Sequence, residues 1–583
     1  MFDTANPCAR AILGAVAEIT GAAPADLKLG APPRPDVGDY ALGVFAIAKA
    51  AGEPPPAVAA RIAAALPGKL PQVVSATATG PFVNLRVDRA WATSLAIAAA
   101  TGEGGARLVP DVGHGEVVCI DYSSPNISKH LAYHHIRSTM LGHALVEIHR
   151  ELGYRVVRIN HLGDWGTTHG MLLAAFERWG SEYPALDITA LNALYVRFRA
   201  AMKEDAALEG VARAWFKRLE DGDAEARARW QQFRDVSLAE FEGVYRMLGI
   251  EFDDVGGESF YEDKMAEVLA MLEAQQLLTE SEGAQVVVLP GEKTPLLIKT
   301  GDGTTLYATR DLAAALYRWR TYHFARSLYV VDRGQALHFR QLFACLQLLG
   351  FDWAARCQHV PFGLVRFGGK KTSTRGGVGG GGDRSFLLKD VFAEAADQVR
   401  PIIAENNAEL DAATIDTIAQ QVGIGAVVFA NVVPQRDKDV DFDWDKALSL
   451  SGDSGPYLQY THARCASIAR KAGGWPPDGT NGGADLALLT HDAEWAVVRR
   501  LMELGDVVAR AGANCEPHVL AHYLLELAGD FSRWYTAGNG DKGLRIVCDD
   551  PSLRAARLTL TKAVHGVLGR GLAMLGMGAP DVM

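Results

Sequence analysis

Apolar and polar positions along the chain change period several times, and each change predicts an element. Glu116–Asp121 (EVVCID) is a continuous apolar run of strand length, and Tyr154–Asn160 (YRVVRIN) is a second. Between them, residues 129–152 read as a helix that stops at Gly153, the usual place for a C-terminal glycine. The order strand, loop, helix, strand is a βαβ unit, which opens a parallel sheet. The loop between strand and helix, SSPN, has the Ser and Asn side chains that cap a helix start. Further apolar strands are predicted at Gln285–Leu289, Ser327–Val331 and His359–Val365, and the charge-rich helical stretch from Leu172 to Leu248 reads as an insertion.

The flanks read differently. Helices near Asn6–Thr20 and Pro56–Leu66 and a strand at Phe82–Val87 predict a small α/β module over residues 1–108, and Gly and Pro mark Thr101–Gly115 as a linker. The chain turns helical after Asp390, with an amphipathic stretch over 391–430 and the connector RDKDVDFDWDK. From Ala447 to the end a helical domain is predicted, broken once by the loop Gly473–Asp485. The predicted division is therefore 1–108, 109–392 with its insertion at about 172–248, a helical connector 393–446, and 447–583. There is no internal repeat.

Composition adds bounds. With 583 residues, 49% apolar and 22% charged, the chain suits about three or four domains of ordinary globular make-up. The net charge of −11 argues against a general nucleic-acid coat, yet local Lys/Arg patches can hold phosphates on an acidic protein. The seven cysteines form no C-x-x-C pair, which speaks against a zinc ribbon, and their scatter suits reduced thiols in a cytosol. No charge-free apolar run reaches the ~18 residues of a membrane span, and the N-terminus does not read as a secretory signal. The expectation is a soluble cytoplasmic protein with no metal site.

Four segments carry candidate chemistry. Asp121–Thr139 (DYSSPNISKHLAYHHIRST) leaves a strand for a helix N-terminus, where free N–H groups and the dipole favour phosphate; His134, His135 and Lys129 lie there. NHLGDWGTTHG (Asn160–Gly170) ends the next strand, where parallel sheets bind ligands. In LYATRDLAAALYRW (Leu306–Trp319), Tyr307 and Asp311 are four apart on one helix face, and a carboxylate with a neighbouring phenol can grip a guanidinium. GGKKTSTRGGVGGGGDR (Gly368–Arg384) puts Lys370, Lys371 and Arg375 on a loop that can fold over a triphosphate. Each segment has a plain alternative: a solvated helix face, a tight turn around a packed Trp, an acid favouring the helix dipole, a solvated linker. Their order and context decide between them.

Taken together the segments resemble arginyl-tRNA synthetases, over nearly the whole chain. SSPNISK (Ser123–Lys129) and IRST (Ile136–Thr139) resemble the family's SPN-x-x-K and LRST; NHLGDWGTTHG, ESFYEDKM (Glu258–Met265), LYATRDLAA (Leu306–Ala314) and YVVDRGQALHFRQLF (Tyr329–Phe343) resemble further blocks of its catalytic domain. SGDSGPYLQYTHARCASIARK (Ser451–Lys471) resembles its anticodon-binding domain, and GDYALGVFAIAKA (Gly38–Ala50) and GPFVNLRVD (Gly80–Asp88) its N-terminal domain. The resemblance implies an α/β class I Rossmann-type catalytic domain with a parallel sheet, an all-α anticodon-binding domain and a small α/β N-terminal domain that touches tRNA. It implies that arginine attacks the α-phosphate of ATP–Mg2+ and that the arginyl-adenylate passes to the terminal ribose of tRNA(Arg). No tightly bound cofactor is expected, and the family is commonly monomeric.

By matching positions, the resemblance assigns arginine binding to Asn126, Tyr307, Asp311 and Gln335, with His161 and Glu258 nearby. It assigns ATP to Ser124, His130, His134, His135, Gly163, Asp164 and His338, and catalysis to His134, His135, Lys129, Lys370, Lys371 and Arg375. For tRNA it points to Asp39, Tyr40, Phe82 and Asn84, and to Tyr457, Gln459, Tyr460 and Arg464. The chain departs from the family where the signature is H-I/V-G-H: Ala132, Tyr133, His134 and His135 stand there. Either His134 or His130 is expected to supply the donor that Ala132 lacks. In the second signature loop Thr372 replaces Met and Gly376 replaces Lys. These departures leave two alternatives beside the synthetase, an arginine-activating paralogue with another acceptor and an inactive tRNA-binding protein. The anticodon-type segment and the complete set Tyr307, Asp311 and Gln335 weigh against both.

Overall fold

The computed structural model describes residues 4–583 apart from 103–104, 301–306, 368–369, 372–385 and 478–482. The chain forms two compact units: Met1–Val112 with Leu450–Ala573 and Gly578–Met583, and Gly113–Ser449 with Met574–Met577.

The second unit is built on four parallel strands in the spatial order Cys357–His359, Arg326–Tyr329, Val117–Asp121, Arg155–Ile159. All five residues of the central Val117–Asp121 strand are buried, which is why its sequence is apolar without alternation. The predicted βαβ unit is present, but its helix is Ile136–Glu151, starting seven residues later than the periodicity suggests. The later start is set at Ala132, whose extended backbone (φ −98°, ψ 167°) bridges Leu387, with Tyr133 N–H donating to Phe386 C=O (2.8 Å) and Leu388 N–H to Leu131 C=O (2.9 Å); before it, Ser123 (φ 67°), Ser124 (φ 48°) and Ser128 (φ 67°) have left-handed backbone. Hydrogen bonds hold these strained residues: Ser138 Oγ accepts from Ser123 N–H (3.1 Å), Asn160 Oδ1 from Ser124 N–H (3.1 Å) and Ser237 Oγ from Ser128 N–H (2.8 Å). The strand predicted at Gln285–Leu289 is Ala284–Val287, and it belongs to a separate antiparallel meander with Leu278–Ser281 and Leu296–Lys299. The prediction at His359–Val365 splits between the parallel strand Cys357–His359 and Val365–Phe367, which pairs with Val440–Phe442 in another sheet.

The insertion is four helices, Thr167–Trp179, Ile188–Glu204, Ala207–Glu220 and Ala224–Met247, around a core that includes Trp165, Trp215 and Trp230. Leu388–Asn406 and Ala412–Val432 pack together, and the latter packs on Ile136–Glu151. Ala412–Val432 is long and apolar enough to cross a membrane, but half of its apolar window is buried inside this unit.

In the first unit, Leu29–Gly30, Tyr40–Gly43, Phe82–Val87 and Val73–Thr79 form an antiparallel sheet in that order. Its helical part comprises Gly455–Lys471, Asp492–Asn514, Pro517–Gly540 and Pro551–Met574. The two parts share polar contacts: Trp495 Nε1 donates to Asp39 (3.0 Å), and Arg89 pairs with Asp492 (2.9 Å). The seven cysteines form no disulfide.

Candidate active site

In the parallel sheet, the chain leaves Val117–Asp121 toward one neighbour and returns on its other side at Arg326–Tyr329. Side chains at the carboxyl ends of these two strands line a cavity of about 500 Å3, at the topological switch point where open α/β sheets bind ligands. Of the residues expected to bind substrates, Ser124, Asn126, His134, His135, His161, Gly163, Glu258, Tyr307, Asp311 and Gln335 all line it. Tyr307, Asp311, Ala314 and Arg318 form one stripe of the helix Tyr307–Tyr322, at spacings of four, three and four.

Asp311 is the centre of one end. His338 donates to its Oδ2 (2.7 Å), and His161 Nε2 lies 3.7 Å from Oδ1. Burial would push the Asp311 carboxyl up, but the bond from His338 and the nearby His161 and Arg318 outweigh it and hold the group below the ordinary carboxylate range. No Lys or Arg among the described residues forms an ion pair with it, so an ionised acid faces the cavity supported by imidazoles. Glu258 differs: burial foremost, then Asp311 and Asp164, raise its carboxyl to about 7 against the opposing Arg310, whose Nε is 3.5 Å away.

Gly163 and Asn126 are bridged in parallel, and Gly163 N–H donates to Pro125 C=O (3.1 Å). A Cβ on Gly163 would overlap the Asn126 carbonyl oxygen. Gly163→Ala is therefore expected to swing Asn126 out of place with the fold intact, because the clash is with the tip of a side chain. A misplacement of this kind costs about 10- to 100-fold in kcat/KM for the amino-acid substrate. Steady-state kinetics with the variant checks this, and an unchanged kcat/KM removes Asn126 from the site.

The other end holds the altered signature. Ala132 has its backbone N–H (3.0 Å) and C=O (3.2 Å) against His135 Nδ1. Tyr133 is fully buried, with its hydroxyl accepting from Asn431 (3.0 Å) and its ring edge-on to Phe442 (5.3 Å). The His134 and His135 ring centres lie 3.9 Å apart with the planes tilted by 39°. Burial, then Lys129, lowers His134 to about 4; burial, then His134, lowers His135 well below the usual histidine value. Both rings are neutral at pH 7 here and act as donors or acceptors, not as cations.

Several expected residues are not brought to the cavity. Asp164 is fully buried and accepts from Ser259 N–H (2.9 Å), Ser259 Oγ (2.8 Å) and Arg234 Nε (3.2 Å), so its carboxylate braces the fold. His130 points into a separate cleft with Thr189, Asn192 and Lys389, its Nδ1 3.1 Å from Glu240. Lys129 Nζ stands over the Tyr195 ring at 5.0 Å. His338 supports Asp311 from behind and does not line the cavity. Lys370 and Lys371 form a two-residue strand against Val365–Phe367, with only their backbone described, and Arg375 lies outside the described residues.

The cavity floor also holds a pair that motif reading missed. Arg318, 1% exposed, lies 2.8 Å from Asp121, whose other oxygen accepts from Ser124 Oγ (2.8 Å). Ser124 Oγ in turn accepts the His161 N–H (3.2 Å). The one available signal was the i, i+7 spacing of Arg318 from Asp311, which places it on the same helix face.

In the first unit, the residues expected at tRNA separate. Phe82 is exposed and packs edge-on against exposed Phe45 (5.6 Å), and Asn84 donates to Thr79 (3.3 Å). Arg464 stands over Tyr460 (4.5 Å) and Tyr535 (5.0 Å), and Tyr457 hydroxyl meets Ser532 (3.3 Å). Asp39, by contrast, is engaged by Trp495 and the Val87 N–H (3.1 Å), and Tyr40 hydroxyl accepts from Asn6 (3.5 Å). Gln459 is wholly buried and donates to Gly578 C=O (2.8 Å), pinning the C-terminal tail together with His462, which donates to Pro580 C=O (3.0 Å). Asp39 and Gln459 are thus internal contacts. His462, His565 and Asp581 bring ligand atoms within 4.8 Å, but the two rings stack at 24°, so their lone pairs run side by side and do not converge as a tetrahedral metal site needs.

Residues 103–444 match the family described as tRNA synthetases class I (R), catalytic domain. Residues 8–87 match the arginyl tRNA synthetase N terminal domain, and 458–583 the DALR anticodon binding domain. An arginine–tRNA ligase of Exiguobacterium sibiricum is 43% identical over 555 residues, covering 95% of each chain. The chain belongs to the arginyl-tRNA synthetase family. One of Streptococcus equi subsp. equi is 41% identical over the whole of both chains. The solved arginyl-tRNA synthetase of Thermus thermophilus superposes with a TM-score of 0.81 at 26% identity, over 98% of this chain and all of that one. That of Plasmodium falciparum, at 21% identity and a TM-score of 0.78 over 99% of each chain, shares the fold. Within the arginyl-tRNA synthetase family, the fold class expected from the sequence is thus the one found.

Proposed function

We propose that the cavity joins L-arginine to ATP as arginyl-adenylate, with Mg2+ entering as part of the ATP substrate, and then passes the arginyl group to tRNA(Arg). Asp311 carries this reading: an ionised acid with no Lys or Arg partner among the described residues, held by His338 in a cavity at the switch point, is a seat for a guanidinium. Glu258 and Tyr307 complete that seat, and Asn126 and Gln335 orient the α-ammonium and carboxylate. The carboxylate oxygen attacks the α-phosphorus and pyrophosphate leaves; a terminal ribose hydroxyl then attacks the carbonyl carbon and AMP leaves. In the first unit, Phe82 with Asn84, and Tyr457, Tyr460 and Arg464, form the faces that meet tRNA.

The deciding experiment is arginine attachment to total tRNA with ATP–Mg2+, other amino acids serving as controls. Arginine-specific charging is expected. ATP turnover with arginine but no charged tRNA would point to another acceptor, and tRNA binding without turnover to an inactive binding protein.

Glu258 gives the site a pH dependence. Its carboxyl, raised to about 7, is largely protonated at pH 6, whereas a guanidinium favours the carboxylate. Binding arginine therefore releases a proton, and affinity weakens as pH falls below 7, toward a limit of about tenfold per unit. KM for arginine measured from pH 6 to pH 8 checks this. Glu258→Gln is expected to raise KM and flatten the profile; a flat profile in the unaltered protein would show that Glu258 does not titrate against the substrate.

A further inference from the structure

We propose that Arg137 is a positioning residue for the adenylation step: from inside the fold, without touching the cavity, it sets the wall formed by Phe362, Leu364 and Val365. The proposal rests on reading the cavity as an ATP-dependent arginine-activating site. Arg137 is the second residue of the helix Ile136–Glu151 and is fully buried. Its guanidinium forms no ion pair among the described residues and donates instead to four backbone carbonyls: Nη1 to Asn431 (3.4 Å), and Nη2 to Gln435 (3.0 Å), Arg436 (3.1 Å) and Lys438 (3.1 Å). Burial lowers the guanidinium to about 10, so it is still a cation at pH 7, and its bonds to the carbonyls are charge-assisted. The turn they hold, residues 433–439, is neither helix nor strand, so its shape depends on such bonds.

That turn holds the cavity wall. Gly363 N–H donates to Arg436 C=O (2.8 Å), Arg436 Nη1 to Pro361 C=O (2.7 Å), and Leu364 N–H to Asp439 Oδ1 (2.9 Å). The two segments lie so close that a Cβ on Gly363 would come within 2.2 Å of the Lys438 carbonyl oxygen. The pairing continues as Val365–Phe367 against Val440–Phe442, and the backbones of Lys370 and Lys371 pair with Phe367 and Arg366. Phe362, Leu364 and Val365 line the cavity. They belong to its signature end, because their strand packs on the turn Tyr133–His135 and Phe442 meets the Tyr133 ring. Displacing the turn therefore shifts this wall and the strand that carries it as one piece. Asp311 and His338 stand on separate elements, the helices Tyr307–Tyr322 and Ala336–Leu348, and keep their places.

The test reaches the wall from both sides of the turn. Arg137→Met removes the buried donors. Asp439→Ala removes the acceptor of the Leu364 N–H from a partly exposed position, where the fold is less at risk. Both are expected to raise KM for ATP–Mg2+ in arginine attachment by about 10- to 100-fold, with KM for arginine unchanged. Arg137→Lys, which keeps a cation beside the carbonyls, recovers part of the loss. A brace that serves stability alone would lower the melting temperature and leave KM for ATP of the folded protein where it was, so melting is measured beside the kinetics. Unchanged KM for ATP at either position overturns the proposal, as does an equal rise in KM for arginine. If Arg137→Met melts below the assay temperature, Arg137→Lys carries the buried arm. If the unaltered protein fails to charge tRNA with arginine, the parent reading fails, and ATP–Mg2+ affinity of the same variants by calorimetry still decides whether Arg137 sets a nucleotide wall.

Discussion

Asp311→Ala is expected to abolish useful arginine attachment while leaving the protein folded. Truncating one partner of a hydrogen-bonded charge pair costs about 3–5 kcal/mol, roughly a hundred- to several-thousandfold in kcat/KM for arginine. The loss should be that large because Asp311 is the one carboxylate on the helix Tyr307–Tyr322 that faces the cavity ionised and without a cation of its own. Glu258 cannot replace it, being partly protonated near neutral pH and already beside Arg310. The fold should survive, since the substitution removes only the hydrogen bond from His338 and the weaker contact with His161. Asp311→Asn separates charge from shape: it keeps an acceptor for His338 but offers no charge to a guanidinium, and it should recover little. Steady-state kinetics with thermal melting checks both variants. Arginine KM close to that of the unaltered protein in Asp311→Ala would remove the guanidinium seat from this end of the cavity.

Arg318→Met should be the most destabilising single change in the cavity. It leaves the Asp121 carboxyl buried at the end of the central strand without its cation, a situation that costs about 3–5 kcal/mol. Asp121 also holds Ser124, whose left-handed backbone needs that support, and Ser124 holds the His161 N–H. Stability and turnover should therefore fall together. Adding Asp121→Asn removes the stranded carboxyl and should return most of the stability, because the amide still accepts from Ser124. Urea unfolding of the single and double variants, followed as the midpoint of the catalytic unit's transition, tests this. If Arg318→Met unfolds at the same midpoint as the unaltered protein, the pair contributes nothing net to stability.

The contrast between these two residues shows what was legible in advance. Asp311 stands in a motif whose chemistry can be argued from residue type, since a guanidinium needs an acid and a helix puts Tyr307 beside it. Arg318, seven residues on, carries no such signal: an arginine near a helix end is ordinarily solvated. Only the meeting of that helix with the end of the Val117–Asp121 strand makes it a buried partner. Asp164 and Gln459 are the reverse case. Both lie in motifs that resemble the family's, yet one is surrounded by Ser259 and Arg234 and the other by the C-terminal tail. A motif marks a segment as constrained without saying whether packing or ligand imposes the constraint.

The sequence by itself determined the family, the parallel βαβ core, the helical C-terminal part and the acid on a helix face for which a guanidinium seat is proposed. These depend on local period and on residue chemistry, which a linear chain displays. Only the tertiary structure decided where the signature helix begins, because extended Ala132 pairs with Leu387, far along the chain, and keeps the backbone out of the helix until Ile136. It also decided which of two histidines reaches the cavity, His134 or His130, because Glu240 and Thr189, more than fifty residues away along the chain, claim the second. Contacts of that range follow from how elements pack, and no periodicity along the chain records them.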